Sequence, residues 1–223
     1  MLQGPTFIPQ NMKYAVILCH GYGSNGDDMA SLAAHLSPIF PETGFFCPNA
    51  PTPLFYGGYE WFSLSDYSGA PEMADQNFLN TLVGRCKEPA KLLSNYIEYL
   101  KKTYGLDDAN IILGGFSQGG LMALYTGLTG PHQVGGIIGC SAVPIVFGKN
   151  LPIESVNHTP PVLLTHGCAD DVVPVHATHI TSAELQKVHI IPSVKLSSDL
   201  THGINDFCLQ EITTFISNIF SKN

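Results

Sequence analysis

One serine of this chain stands in the sequence surroundings that a catalytic nucleophile needs. Ser117 lies in Gly115-Phe116-Ser117-Gln118-Gly119, between an apolar run at 111–114 and a helix-like run that begins at Leu121. Small residues two positions before and after a serine allow the sharp strand-to-helix turn that exposes its hydroxyl. Alone, the motif favours an ordinary helix N-cap serine, so the partners elsewhere in the chain decide between the two interpretations.

A serine hydroxyl becomes nucleophilic when a histidine accepts its proton and a carboxylate orients that histidine. His202 fits the first role, because it follows a strand-like run and precedes the last helix-like run. Asp170 fits the second role, in the loop after the apolar run 162–165. Loops at the carboxyl ends of parallel strands meet at one edge of a sheet, where ligands bind. The chain order serine, aspartate, histidine therefore predicts a catalytic triad of Ser117, Asp170 and His202.

The negative charge that develops on the substrate oxygen needs two backbone N–H donors. We expect one from Gln118, directly after the nucleophile, and the other from Tyr22 in the loop His20-Gly21-Tyr22-Gly23. The glycine spacing of 21–26 is also that of a dinucleotide-binding turn. That turn needs an acid at the end of the next strand, where the sequence has Phe46-Cys47-Pro48-Asn49. The pattern therefore disfavours a nicotinamide-dependent oxidoreductase.

Other histidines compete with His202 for the role of base. His176 and His179 lie on a predicted helix, and His189 begins a predicted strand. His20 and His166 each precede a glycine at a strand end, where we expect them to support loop hydrogen bonds rather than chemistry. The pair His176-x-x-His179 lacks the carboxylate or cysteine neighbours that would complete a metal site, so we predict no metal.

The elements that must position these residues follow from the alternation of strand-like and helix-like runs. The predicted strands are Tyr14–Cys19, Phe45–Cys47, Ile111–Leu113, Val134–Cys140, Val162–Thr165 and His189–Leu196. The predicted helices are Asp27–Leu36, about Met73–Tyr104 with a kink or division at Pro89, Leu121–Leu128, Val175–Val188 and Ile204–Phe220. Continuous apolar strands that alternate with helices predict an α/β fold with a parallel sheet covered on both faces. No linker interrupts the pattern, so we expect residues 1–223 to form a single domain.

An aromatic segment precedes the long helical pattern. Residues 48–71 are rich in proline, glycine and aromatic side chains, which predicts a long loop. We select Phe55, Tyr56, Trp61 and Phe62 as candidate substrate-binding residues, because an acyl chain at the rim of a site would meet apolar aromatic groups. Simple packing of these side chains is the alternative that the sequence leaves open.

Composition excludes several classes of function. The 223 residues include 44% apolar and 13% charged residues, and the formal net charge is -8. Nucleic-acid binding would require a basic stripe, which the sequence lacks. An acidic chain also gains nothing electrostatically from an anionic membrane surface. No apolar run approaches 18 residues, so we expect no integral membrane association.

Cysteine usage favours a reducing compartment. The six cysteines are widely spaced, and none forms a C-x-x-C pair, which argues against a zinc site and a disulfide framework. The sequence begins without a basic region ahead of an apolar stretch, so we expect no signal peptide and a cytoplasmic location. The apolar loop could be covered by a second copy of the chain, which leaves a homodimer open.

Four sequence blocks together closely resemble the phospholipase/carboxylesterase family of α/β-hydrolases, which includes acyl-protein thioesterases and small bacterial carboxylesterases. The blocks are Gly114–Gly120, His20–Gly23, His166-Gly167-x-x-Asp170-x-x-Val173-Pro174 and Thr201-His202-Gly203. Pro48-Asn49-Ala50-Pro51 and Trp61 also match, whereas Trp61-Phe62-Ser63 replaces the Trp-Tyr-Asp of many members.

The resemblance extends from about residue 14 to residue 220. It implies an α/β-hydrolase fold with a mostly parallel central sheet and helices on both faces. It also implies the Ser117–Asp170–His202 triad and the Tyr22 and Gln118 oxyanion donors. The family's spacing to Val173-Pro174 favours Asp170 over its neighbour Asp171.

The sequence therefore predicts a serine hydrolase that cleaves carboxylic esters through an acyl-enzyme, without a cofactor. Its substrate would be a small-molecule ester or an acylated molecule, with thioesters and lysophospholipids as further candidates. Two alternatives from other classes stay open, a non-catalytic binding protein of the same fold and a nicotinamide-dependent oxidoreductase.

Overall fold

The computed structural model describes residues 1–64 and 75–222. The strands are β1 (Thr6–Phe7), β2 (Tyr14–Cys19), β3 (Thr43–Phe46), β4 (Thr52–Pro53), β5 (Tyr59–Glu60), β6 (Ile111–Phe116), β7 (Gly136–Cys140), β8 (Val162–Gly167) and β9 (Ser193–Ser197). The helices are α1 (Gly26–Leu36), α2 (Gln76–Arg85), α3 (Lys87–Tyr104), α4 (Gln118–Thr129), α5 (His176–Gln186) and α6 (Asp206–Phe220).

Seven strands of the described chain form one sheet in the order β1-β3-β2-β6-β7-β8-β9. β1 pairs with β3 in the antiparallel sense, and every other neighbouring pair in this sheet is parallel. The predicted mostly parallel sheet is confirmed. The sequence missed β1, because two residues are too few to show a periodic pattern.

Helices cover both faces of the sheet, as the apolar strands predicted. Side chains alternate along each strand, so Ile17 and Leu113 face one layer while Leu18 and Ile112 face the other. The first layer contains α2, α3, α4 and α5, and the second contains α1 and α6. Because helices cover both faces of the sheet, the central strands are apolar throughout and do not alternate between apolar and polar residues. The carboxyl ends of these strands are the edge where a site can form.

Several predicted elements begin later than the sequence indicated, two of them for reasons that the structure shows. The last helix starts at Asp206 rather than at Ile204, because the Asn205 side chain accepts the Cys208 N–H and caps it. Phe207, in the first turn of that helix, is 37% exposed. His189 does not begin a strand, since its φ of 63° places it in a turn before β9.

The long helical pattern is divided into α2 and α3 at Cys86. Pro89 lies in the first turn of α3, where a missing N–H costs no intrahelical hydrogen bond. Met73, at the expected start of this pattern, lies outside the described residues, as do positions 65–71 of the predicted long loop. The described part of that loop contains the short β4–β5 hairpin. In the two described ranges, each helix is too short or too polar to cross a membrane.

Candidate active site

Ser117 occupies a strained turn between β6 and α4. Its φ of 54° and ψ of -117° lie in a region that non-glycine residues rarely adopt. Its backbone N–H donates to the Cys140 carbonyl at 2.9 Å, which ties the turn to the end of β7. A Cβ at Gly115 would collide with the Gly119 carbonyl, and one at Gly119 would collide with the Cys19 carbonyl. The two glycines of the motif are therefore required by the close approach of backbone to backbone.

Asp170 and His202 form the predicted pair. His202 Nδ1 lies 2.8 Å from Asp170 Oδ2, and the N–H groups of Val172 and Val173 donate to Asp170 Oδ1 at 3.0 and 2.8 Å. Burial by itself would raise the pKa of Asp170. The hydrogen bonds from His202 and from the two backbone N–H groups outweigh burial, so the pKa is lowered and the carboxylate form is favoured.

Ser117 and His202 line one cavity at the carboxyl edge of the sheet. The His202 ring lies against the Phe116 ring, with the centroids 4.6 Å apart. Within residues 1–64 and 75–222, Ser117 Oγ makes no direct hydrogen bond to His202. Catalytic hydrogen bonds are often long in a free enzyme and tighten when substrate binds. Because Asp170 holds Nδ1, Nε2 is the His202 nitrogen available to the serine.

The two expected oxyanion donors also line this cavity. In the described part of the chain, neither the Tyr22 N–H nor the Gln118 N–H has a protein acceptor. His20 lies beside the first of them, with Nδ1 2.7 Å from the Gly21 carbonyl. In a planar trans peptide, C=O and N–H point in opposite directions, so holding the Gly21 carbonyl directs the Tyr22 N–H away from the histidine ring.

The His20 ring is held in one tautomer. Its Nε2 accepts the Ala50 N–H at 2.9 Å, so the proton is on Nδ1, which donates to Gly21. Burial lowers the pKa of His20 and favours this neutral form. His20 therefore supports a loop hydrogen bond, the role that its position at a strand end suggested.

The Gln118 side chain has a structural role that no motif indicated. It is 1% exposed, and its Oε1 accepts the Trp61 N–H at 2.9 Å while its Nε2 donates to the Phe62 carbonyl at 2.8 Å. The Trp61 indole N–H donates to the His20 carbonyl at 2.9 Å. These bonds attach the 61–62 segment to both the nucleophile turn and the oxyanion loop, so Phe62 is held as one wall of the cavity.

The four candidate substrate-binding residues occupy three different environments. Phe62 is 7% exposed and lines the cavity. Trp61 is buried behind it and does not line the cavity. Phe55 and Tyr56 lie outside the cavity in the turn of the β4–β5 hairpin, where they are 107% and 70% exposed. The structure thus brings only Phe62 of this set to the cavity that Ser117 and His202 line.

The cavity has a volume of about 790 Å³ and extends over both sides of the sheet edge. The half on the α2 side is apolar and includes Phe62, Leu64, Phe78, Leu82 and Val143. The half between α1 and α6 mixes apolar residues with polar ones, among them Ser24, Asp28, Ser31, His35 and Asp206. Lysine and arginine are absent from the described residues that line either half.

Side chains occupy the positions that a dinucleotide would need at the start of α1. The Gly26 N–H donates to Asn49 Oδ1 at 2.7 Å, and Asn25 Oδ1 accepts the N–H groups of Asp27 and Asp28. A bound pyrophosphate would require these same N–H groups. His176 and His179 are exposed on α5, and in the described ranges no three His, Cys, Asp or Glu side chains are placed to hold a metal ion.

Comparison with known proteins gives matches over nearly the whole chain. The sequence model of the phospholipase/carboxylesterase family matches residues 9–220. Acyl-protein thioesterase 1 of Kluyveromyces lactis is 31% identical over 219 residues, which cover 93% of this chain and 92% of that protein. Acyl-protein thioesterase 1 of Emericella nidulans is 29% identical over 231 residues and covers 98% of this chain and 96% of its own length. The crystal structure of esterase PE8 superimposes with a TM-score of 0.86 at 35% identity, over 98% of this chain and 99% of that chain.

Proposed function

Because the chain belongs to the phospholipase/carboxylesterase family and is a hydrolase of the carboxylesterase and thioesterase type, we propose that Ser117 is its nucleophile, His202 its base and Asp170 the group that orients the base. The observation that carries the proposal is the 2.8 Å contact between His202 Nδ1 and Asp170 Oδ2 at the cavity that Ser117 also lines. The strained turn at Ser117 supports it, since strain of this kind persists where function requires it.

The reaction begins when a substrate carbonyl enters beside Ser117. His202 Nε2 takes the hydroxyl proton as Oγ forms a bond to the carbonyl carbon, and the carbonyl electrons move to oxygen. The Tyr22 and Gln118 N–H groups donate to that oxygen. The alcohol or thiol leaves with the proton from His202 and leaves an acyl-serine. Water, deprotonated by His202, then attacks the acyl carbon; the bond to Ser117 Oγ breaks, His202 returns the proton to Oγ, and the carboxylic acid is released.

The two halves of the cavity receive different parts of the substrate. His202 must protonate the leaving group, and its neighbours Gly203 to Asp206 belong to the half between α1 and α6. That half therefore takes the alcohol or thiol. The apolar half beside Phe62 takes the acyl chain, because it offers hydrocarbon contacts without charged groups.

The charge of the leaving-group half favours some substrates over others. Asp28 and Asp206 line it, and the described lining contains no lysine or arginine to offset them. An anionic leaving group would be repelled by these carboxylates, whereas a neutral or cationic one would not. We therefore propose esters or thioesters with an apolar acyl chain and an uncharged or positively charged leaving group. We also propose a cytoplasmic location, which the six unpaired cysteines support.

Substitution of Ser117 by alanine tests the assignment. We expect S117A to lower kcat for p-nitrophenyl butyrate by a factor on the order of 10⁶, because the triad acts as a unit. S217A is the matched control, since it removes the same hydroxyl from an exposed position on α6 outside the cavity lining and should leave the rate nearly unchanged. Wild type should react with a fluorophosphonate probe, and S117A should not.

Hydrolysis and labelling that survive in S117A would refute the proposed nucleophile. A wild-type protein that binds apolar esters without turnover or labelling would instead indicate the non-catalytic alternative. Among active preparations, a chain-length series of p-nitrophenyl esters measures how much acyl chain the apolar half accepts. We expect kcat/KM to rise with chain length until that half is filled.

A further inference from the structure

A second histidine contacts the carboxylate of the proposed triad. His166, near the end of β8, is fully buried, and its Nε2 lies 3.2 Å from Asp170 Oδ2, the oxygen that also accepts from His202. The same Nε2 lies 2.7 Å from the Val173 carbonyl. On the other side of the ring, Nδ1 lies 2.7 Å from the Thr178 hydroxyl on α5. His166 thus connects α5 to the loop that holds Asp170.

These contacts determine the tautomer of His166. The Val173 carbonyl can only accept, so Nε2 carries the proton and donates to it, and Asp170 Oδ2 lies 3.2 Å from the same nitrogen. Nδ1 is then unprotonated and accepts the hydrogen bond from the Thr178 hydroxyl. Burial lowers the pKa of His166 and favours this neutral ring, although Asp170 and the Val173 carbonyl act in the opposite direction.

The backbone of Val173 contacts both Asp170 and His166, so the positions of these two side chains depend on each other. Its N–H donates to Asp170 Oδ1 at 2.8 Å, and its carbonyl accepts from His166. The carboxylate is therefore held at Oδ1 by the backbone and at Oδ2 by His202, and the His166 ring lies in contact with Oδ2. Such a fully paired buried network restricts each member to one orientation.

We propose that His166 is a positioning residue that holds the Asp170 carboxylate and moderates its interaction with His202. This inference rests on the proposed triad. Since the partial positive charge of the His166 Nε2–H lies beside the same Asp170 oxygen, at an N–O distance of 3.2 Å, the carboxylate stabilises a protonated His202 less than it would without this neighbour. His166 would then keep His202 available as a base at lower pH.

The other ionisable groups on the surrounding elements make no hydrogen bond or ion pair with His166 within the described residues. α5 carries His176 and His179 at exposed positions. β9 carries Lys195, which pairs with Glu211, and burial raises the pKa of Cys140 on β7 to about 12. On the cavity side, the ionisable residues that accompany His202 are Tyr22, Asp28, His35 and Asp206.

The pH profile of kcat/KM distinguishes positioning from mere packing. H166F keeps an aromatic ring but removes the N–H. We therefore expect the apparent pKa of the acid limb of the profile to rise by roughly half a unit to one unit, and kcat/KM on the plateau to fall about tenfold. H166Q retains an N–H donor and should keep the limb near its wild-type position.

His132 provides a matched control. It is also buried, with Nδ1 3.2 Å from Asp108 and Nε2 3.1 Å from the Ser94 carbonyl, but it lies near the amino ends of the strands. H132F should lose comparable packing and leave the acid limb unchanged. An unshifted limb in H166F, or an equal shift in H132F, would overturn the proposal.

A measurement on the wild-type protein decides the matter if H166F does not fold, and it does not depend on the nucleophile. Nitrogen-15 NMR of histidine-labelled protein at pH 7 should show a neutral His166 with the proton on Nε2, because burial lowers the pKa of this ring. A His166 with its proton on Nδ1, or with both ring nitrogens protonated, would refute the inference. Ester hydrolysis that survives in S117A would refute the triad but would leave this NMR result intact.

Discussion

At Gly119, one added methyl group should lower the catalytic rate while the protein still folds. Its α-carbon passes so close to the end of β2 that a Cβ would lie less than 3.0 Å from the carbonyl oxygens of both Cys19 and His20. Both obstacles are backbone atoms, which cannot rotate away as a side chain can. The start of α4 and the end of β2 must therefore separate in a G119A variant.

The size of that separation sets the expected loss. To reach an ordinary contact, the two segments must move apart by about 1 Å, and a misplacement of that size costs on the order of 10² in rate. The movement also affects both proposed oxyanion donors, because Gln118 begins α4 and Tyr22 follows β2. Loss of one effective donor costs about 10² to 10³ in kcat, and the neutral ground state is affected much less. We therefore expect a fall of roughly 10² to 10³ in kcat for G119A with little change in KM.

Steady-state kinetics on p-nitrophenyl butyrate, with thermal unfolding in parallel, measure this effect. G127A is the matched control, since it makes the same substitution in α4 and its Cβ would meet side chains, those of Ile137 and Val134, rather than backbone atoms. We expect G127A to keep kcat within a few-fold of wild type. A folded G119A with wild-type kcat would refute the conclusion that this close approach builds the oxyanion site.

Two further predictions concern charge. Because the pKa of Asp170 is lowered in the folded chain, its ionised form adds stability above the ordinary value of 3.8, and this contribution is lost as pH falls through the folded pKa. The difference in unfolding free energy between wild type and D170N, from urea titrations, should therefore shrink as pH falls from 7 to below 3.8, whereas a constant difference would contradict the assigned cause. Two butyryl thioesters, one with an anionic and one with a cationic leaving group, measure the effect of Asp28. D28N should raise the ratio of kcat/KM for the anionic to that for the cationic substrate about threefold. D27N, which removes the same charge outside the cavity lining, should leave that ratio unchanged, and an equal change in both variants would argue against local charge selection.

Most strands and helices could be predicted, because the sequence patterns that indicate them are local. The apolar runs at β2, β6 and β8 are continuous since each strand is buried on both faces, and this pattern is visible without tertiary information. β1 and the hairpin of β4 and β5 escaped prediction, because two-residue strands have no period to detect. The start of β9 was misjudged because the turn at His189 depends on a backbone angle that its residue type does not reveal.

The candidate site was likewise predictable in part, for the residues that local sequence patterns place at strand ends. The order and spacing of Ser117, Asp170 and His202 were sufficient to nominate them, since strand ends in a parallel sheet share one edge. Phe55 and Tyr56 were nominated by composition alone. They do not line the cavity because the β4–β5 turn exposes them to solvent, although the Tyr56 hydroxyl donates at 2.9 Å to that of Tyr22, which does line it.

By itself, therefore, the sequence determined the parallel α/β frame and the loops that carry the proposed catalytic side chains. Only the tertiary structure decided which distant groups stand beside them. The Gln118 side chain bonds to a segment 56 and 57 residues away in the chain, and the Trp61 indole N–H donates to the His20 carbonyl, 41 residues away. The physical reason is that strand and helix periodicity comes from neighbouring residues, whereas hydrogen bonds between remote segments depend on how whole elements pack.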